Sequence, residues 1–192
     1  MSVADGVAGA GLRDLRDRPF ELLRELERRS RTKNEGIAAD ASVGREWVGV
    51  AFRIGGETFL IAREETREVL GYPPSVTRVP GAKSWIKGLA NVRGQLLPLI
   101  DLRQFLGSGA TAIGRNTRIV VVNHREIPAG LVVDEVHGFR RFAEGEFSAE
   151  PPPTVIRCDS YLAGAFRRGG ELWPVLSMKS LLESASFLQA AS

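Results

Sequence analysis

Residues 52–107 read FRIGGETFLIAREETREVLGYPPSVTRVPGAKSWIKGLANVRGQLLPLIDLRQFLG, and their punctuation decides the fold. Leading into this stretch, Val48, Val50, Phe52 and Ile54 alternate with Gly49, Ala51 and Arg53, the two-residue period of a half-buried strand. Gly55-Gly56 supplies a two-residue hairpin turn, because glycine tolerates the positive φ that such turns need. The chain returns as a second strand over Glu57–Ala62, with Phe59 and Ile61 on one face. Further strands are expected at Val76–Val79, Gln95–Ile100, Arg118–Asn123, Ala129–Asp134, His137–Phe142, Leu162–Arg167 and Glu171–Leu176. Arg168-Gly169-Gly170 reads as another hairpin turn. Helical signals are short: Arg63–Leu70, Lys83–Leu89, Asp101–Leu106 and Met178–Leu188. Short strands spaced about ten residues apart with glycine turns indicate an all-β barrel or sandwich. Without long helices alternating with strands, a doubly wound nucleotide fold is not expected.

Upstream the pattern differs. Residues 1–18 are rich in Gly and Ala, and a helix is expected from about Pro19 to Lys33, with proline at its first position. Phe20, Leu22, Leu23 and Leu26 give that helix an apolar stripe. Residues 34–45 read as a linker. The division expected is a tail, helix and linker over 1–46, a β domain over 47–185 and a C-terminal tail over 186–192.

The totals narrow the function. The 192 residues are 43% hydrophobic and 26% charged, enough for a real core. The longest apolar runs, such as Ile119–Val122, fall far short of a membrane span, and MSVADGVAGAGLRD lacks the profile of a signal peptide. Cys158 is the single cysteine and has no partner for an internal disulfide, so a cytosolic address is expected. Net charge is only +3, and the densest basic stretch, Arg28–Lys33, sits among glutamates. That mixture argues for a solvated helix face rather than a nucleic-acid surface.

Catalytic chemistry finds little support. His124 and His137 have no cysteine or second histidine at ligand spacing, so no metal site is expected. Cys158 has no evident base beside it. Glu64-Glu65 and Asp134-Glu135 are adjacent pairs, which do not make a facing acid and base. Gly107-Ser108-Gly109-Ala110-Thr111-Ala112 matches a loose G-x-G-x-x-A string, but it follows a helical segment instead of a strand. It reads as a connection. A small nucleotide-binding or catalytic domain using this Gly107 loop is kept as the alternative.

The specific signal is an ordered series of short motifs. A Phe-x-x-Gly-Gly start is followed by Glu68-Val69, Val79-Pro80, Ile86-Lys87-Gly88, Asn91-Val92-Arg93-Gly94, Pro98 and Ile100-Asp101-Leu102-Arg103. Leu131–Val136, Tyr161-Leu162-Ala163-Gly164 and Leu181-Leu182 complete it. Over about residues 47–185 this series closely resembles the CheW-like family of chemotaxis adaptors. Trp85–Gly94 and the N-terminal extension look like the PilI type, found in type IV pilus (twitching-motility) chemosensory systems.

The resemblance implies two small SH3-like five-stranded β-barrels packed together, with short helices and an N-terminal helical extension. It implies a non-catalytic adaptor without cofactors. Its partners would be the cytoplasmic tip of a chemoreceptor and the regulatory domain of a CheA-like histidine kinase, with no nucleic acid and no membrane insertion. The adaptor would work in the cytoplasm, recruited to membrane-associated, often polar, arrays. Carried onto this sequence, the receptor groove takes Val133, Val136 and Phe139, with Glu68, Gly88, Arg93 and Gly94 at its rim. Asn91 shapes the turn, and Glu68 is expected to pair with Arg93. Gly88 and Gly94 are expected to allow close approach by a partner's backbone. The N-terminal helix is left with a partner of its own to find.

Overall fold

The computed structural model describes residues 46–189, so the expected helix and linker ahead of Trp47 lie outside the described residues. Among them the chain forms two sheets with a few short helices. One sheet has six strands in the order β8-β1-β2-β11-β10-β9. These are β1 (Glu46–Ile54), β2 (Glu57–Ala62), β8 (Glu135–Ala143), the two-residue β9 (Phe147–Ser148), β10 (Leu162–Arg168) and β11 (Glu171–Leu176). The other has five, in the order β3-β6-β7-β5-β4. Its strands are β3 (Thr66–Gly71), β4 (Ile86–Val92), β5 (Gln95–Asp101), β6 (Arg118–Val122) and β7 (Gly130–Val133). Three helices of four or five residues follow strands: α1 (Leu102–Phe105) after β5, then α2 (Met178–Leu182) and α3 (Ala185–Leu188) after β11.

Successive residues of a strand point to opposite faces, and here both faces are covered. In β6, Ile119 and Val121 enter a core with Ala90, Leu97, Leu99 and Val132, all from the five-stranded sheet. Val120 and Val122 point the other way, into a larger core shared with Phe52, Ile54, Phe59 and Ile61 of the six-stranded sheet. Those two strands in turn send Ala51 and Leu60 into a third core with Phe142, Phe166 and Val175. Each sheet therefore has an interior of its own, and the largest core joins them. This corrects the reading of β1 as half-buried: Val50, Ala51, Phe52 and Ile54 are all buried. Phe187, assigned by sequence to the C-terminal tail, is buried in the joining core and stacks on Trp85 with ring centroids 5.7 Å apart.

Asp101 organises one end of the five-stranded sheet. Fully buried, its carboxylate accepts from the Gln104 and Thr111 backbone N–H groups (3.1 and 2.9 Å) and the Thr111 hydroxyl (2.8 Å). Lys87 Nζ lies 3.4 Å away. One carboxylate thus caps α1 and fastens the Gly107 loop. The Thr111 N–H, which a phosphate in that loop would need, already serves this carboxylate.

Several expected elements came out differently. Arg63–Leu70 is a 3-10 turn over Arg63–Glu65 followed by β3, and Lys83–Leu89 runs into β4. In both places pairing along a neighbouring strand outweighs weak helical preference. Val76–Val79 contributes one isolated bridge, Thr77 with Leu89. Pro174 lies in β11, an interior strand between β10 and β2. Its missing N–H is tolerated because β11 meets β2 through a single parallel register pair, Val175 with Leu60.

Candidate functional site

Strands β3 and β8 each form an edge of their sheet, and a groove of about 460 Å³ opens between them. Arg67, Glu68 and Val69 line it from β3, Phe139 from β8, and Arg63 and Glu64 from the turn that precedes β3. A second hollow of about 220 Å³ continues past Arg67 and Glu68 to Arg93 and Leu96. Phe139 is 61% exposed and Leu96 68% exposed, large apolar groups standing among the charged side chains of Arg67, Glu68 and Arg93.

The rim is firmly built. Asn123, at the end of β6, donates its backbone N–H to Glu65 O and its side-chain amide to Glu64 O, both at 2.8 Å. The Glu65 carboxylate accepts from the Lys179 N–H at 3.3 Å, tying the same turn to α2. Burial pushes the Glu65 carboxyl above its ordinary pKa; hydrogen bonds from Lys179 and Met178 pull it down, and Glu64 pushes it up again. A carboxylate whose folded pKa is raised is stabilising when protonated, and that contribution is lost as pH rises through the folded value. Glu65→Gln should therefore gain stability relative to the native protein on going from pH 4 to pH 7. Denaturation midpoints of both proteins at the two pH values check this; a Glu65→Gln midpoint that falls relative to the native one between pH 4 and pH 7 contradicts it.

Glu68 and Arg93 meet as the sequence reading expected, with Nη2 3.0 Å from Oε2. The Arg93 side chain is 77% exposed and that of Glu68 22%, so the pair is worth about 0–1 kcal/mol to the fold. Much of the guanidinium faces outward. Arg93 also has φ of +51°, the only non-glycine residue at positive φ among the described residues. With Gly94 at +82° it makes a two-residue turn of the kind that favours Asn or Gly. Holding arginine there costs about 1 kcal/mol, a placement better explained by its side chain than by the turn. Asn91 closes the hairpin by accepting the Gly94 N–H at 2.8 Å.

The other expected groove residues separate. Val136 is half-buried and packs against the joining core. Val133 is fully buried within that core and presents nothing to a partner. Gly88 is also buried, and an added Cβ would lie 2.2 Å from Thr77 O. The close approach it permits is by the protein's own backbone, not a partner's. Sequence reading did not place Arg67, Leu96 or Asn123 among the site residues. Nothing in a linear pattern announces them; they meet through the pairing of β3 with β6 and the hairpin β4–β5.

Asp134, Glu135 and His124, weighed for catalysis, hold structural contacts. Arg53 reaches Asp134 (3.8 Å) and Glu135 (3.3 Å), and Asp134 also accepts the Gly55 N–H at 2.6 Å, bracing the β1–β2 turn. His124 Nδ1 accepts from the Ile127 N–H at 3.2 Å. Cys158 is buried, and that burial pushes its thiol up, away from the reactive thiolate.

Comparison with known proteins gives a consistent picture. The sequence profile of the CheW-like domain matches residues 48–186. The chain is 39% identical to protein PilI of Pseudomonas aeruginosa over 173 residues, covering 90% of this chain and 96% of that protein. Against protein FrzA of Myxococcus xanthus, identity is 31%, with 79% and 94% of the two chains covered. The crystal structure of scaffolding protein TtCheW from Thermoanaerobacter tengcongensis superposes with a TM-score of 0.65 at 26% identity, covering 74% of this chain and 96% of that one. The match to PilI is longer than the 48–186 stretch, so that similarity reaches beyond the domain.

Proposed function

The chain belongs to the CheW-like domain family, and from that premise we propose that it couples the cytoplasmic tip of a chemoreceptor to the regulatory domain of a CheA-like histidine kinase. It performs no chemistry itself. The observation that carries this reading is the groove between β3 and β8, where exposed Phe139 stands beside the Glu68–Arg93 pair. An apolar anchor flanked by fixed charges suits the face of an amphipathic helix. Glu68, Arg93, Gly94, Val136 and Phe139 form the receptor surface in this proposal, with Gly88 and Val133 supporting it from within. Coupling requires only that the receptor's two signalling states make different contacts with the adaptor.

Similarity to PilI supports a place in a type IV pilus system, within cytoplasmic arrays at the membrane. Among the described residues no helix is long and apolar enough to cross a bilayer. The residues ahead of the domain have a partner of their own in this proposal, and the tail that follows the domain begins only after Phe187, which packs in the joining core. The test is size-exclusion chromatography of the full chain with the kinase and a receptor signalling fragment from the same organism. Co-elution of receptor with kinase only when this protein is present is the expected result. Failure to bind either partner overturns the proposal.

A further inference from the structure

Arg67 owes its position to a fault in the ladder. Thr66 pairs with Val122 and Glu68 with Val121, so Arg67 is the extra residue of a β-bulge on an edge strand. A bulge bends the strand and re-aims the side chain at that point. The same device occurs in β4, where Ile86 pairs with Ile100 and Gly88 with Leu99, leaving Lys87 as the extra residue. There the re-aimed amine reaches buried Asp101 at 3.4 Å. Arg67 reaches no such partner: among the described residues no carboxylate comes within salt-bridge distance of it. Glu68, its neighbour, is engaged by Arg93, and Glu64 lies in the same groove without pairing with Arg67.

The exposed guanidinium borders both hollows, with Val69 and Phe139 on one side and Leu96 on the other. From this geometry we infer that Arg67 is a specificity-determining residue, which pairs with a carboxylate flanking the apolar stripe of the receptor segment in the groove. The inference rests on the receptor-adaptor reading above and names the chemistry of the partner's side. A planar guanidinium with its donors free makes two parallel bonds to a carboxylate and rejects a cation at the same place.

The test is binding of the full chain to the receptor signalling fragment, measured by calorimetry at low and high salt, with kinase binding followed in parallel. Arg67→Glu should weaken receptor binding by about tenfold or more and flatten its salt dependence, while Arg67→Lys keeps most of the affinity. Kinase affinity and melting temperature should stay unchanged, since the side chain has no folded partner to lose. Changing the matching receptor acid to arginine should restore binding to Arg67→Glu. If the native protein binds receptor and Arg67→Glu binds equally well at both salt concentrations, the inference is overturned and the adaptor reading stands. If the native protein binds no receptor, both fall.

Discussion

Gly88→Ala is expected to give little or no folded protein, with stability lowered by about 3 kcal/mol or more. The new Cβ would sit 2.2 Å from Thr77 O, 2.8 Å from Thr77 C and 2.9 Å from Val76 Cγ1, with the backbone at φ +137°. Two of those atoms are main chain, and they have no room to withdraw. Thr77 N donates to Leu89 O at 2.9 Å and Leu89 N to Thr77 O at 2.8 Å, which fastens the segment against β4. Gly94→Ala is the control, because no atom lies within 4 Å of its Cβ position. It keeps only the backbone penalty of φ +82°, about 1–2 kcal/mol. Soluble yield and urea midpoints separate the two variants. A Gly88→Ala protein with a native midpoint would mean that the Thr77 segment moves freely, contrary to the structure.

Phe139→Asp should reduce receptor affinity roughly thirtyfold or more, the scale of a hot-spot aromatic, and leave both melting temperature and kinase affinity near native. The ring is 61% exposed, so its removal leaves no cavity. The replacement puts an anion where an apolar face would have to settle. Val136 is a poorer probe, since it packs on the joining core and a charge there disturbs the fold as well. Unchanged receptor binding by Phe139→Asp would remove β8 from the receptor surface.

How far the sequence could be read depended on which face of a strand was at issue. Eight of the eleven strands among the described residues, both glycine hairpins and the all-β class were legible because glycine pairs and short apolar runs have local causes. Whether Val133 was core or surface was not. Leu131–Val133 is apolar throughout because Leu131 and Val133 enter the joining core while Val132 enters the core of its own sheet. Alternation cannot reveal burial on both faces. Arg63–Leu70 misled for a related reason: its charges suit a helix, and only pairing with β6 makes it an edge strand. The Glu68–Arg93 pair was legible through resemblance, not spacing, because its members lie on different strands of the five-stranded sheet and the connecting hairpin. The bulge that aims Arg67 depends on a ladder register that no single segment encodes.

The most direct test of the adaptor account is autophosphorylation of the CheA-like kinase, measured with receptor fragment present and with native protein, Phe139→Asp or no adaptor added. The account predicts receptor-dependent kinase activity only with the native protein, and a loss with Phe139→Asp despite intact kinase binding. Kinase activity that responds to receptor equally well without this protein, or with Phe139→Asp at native level, would contradict it.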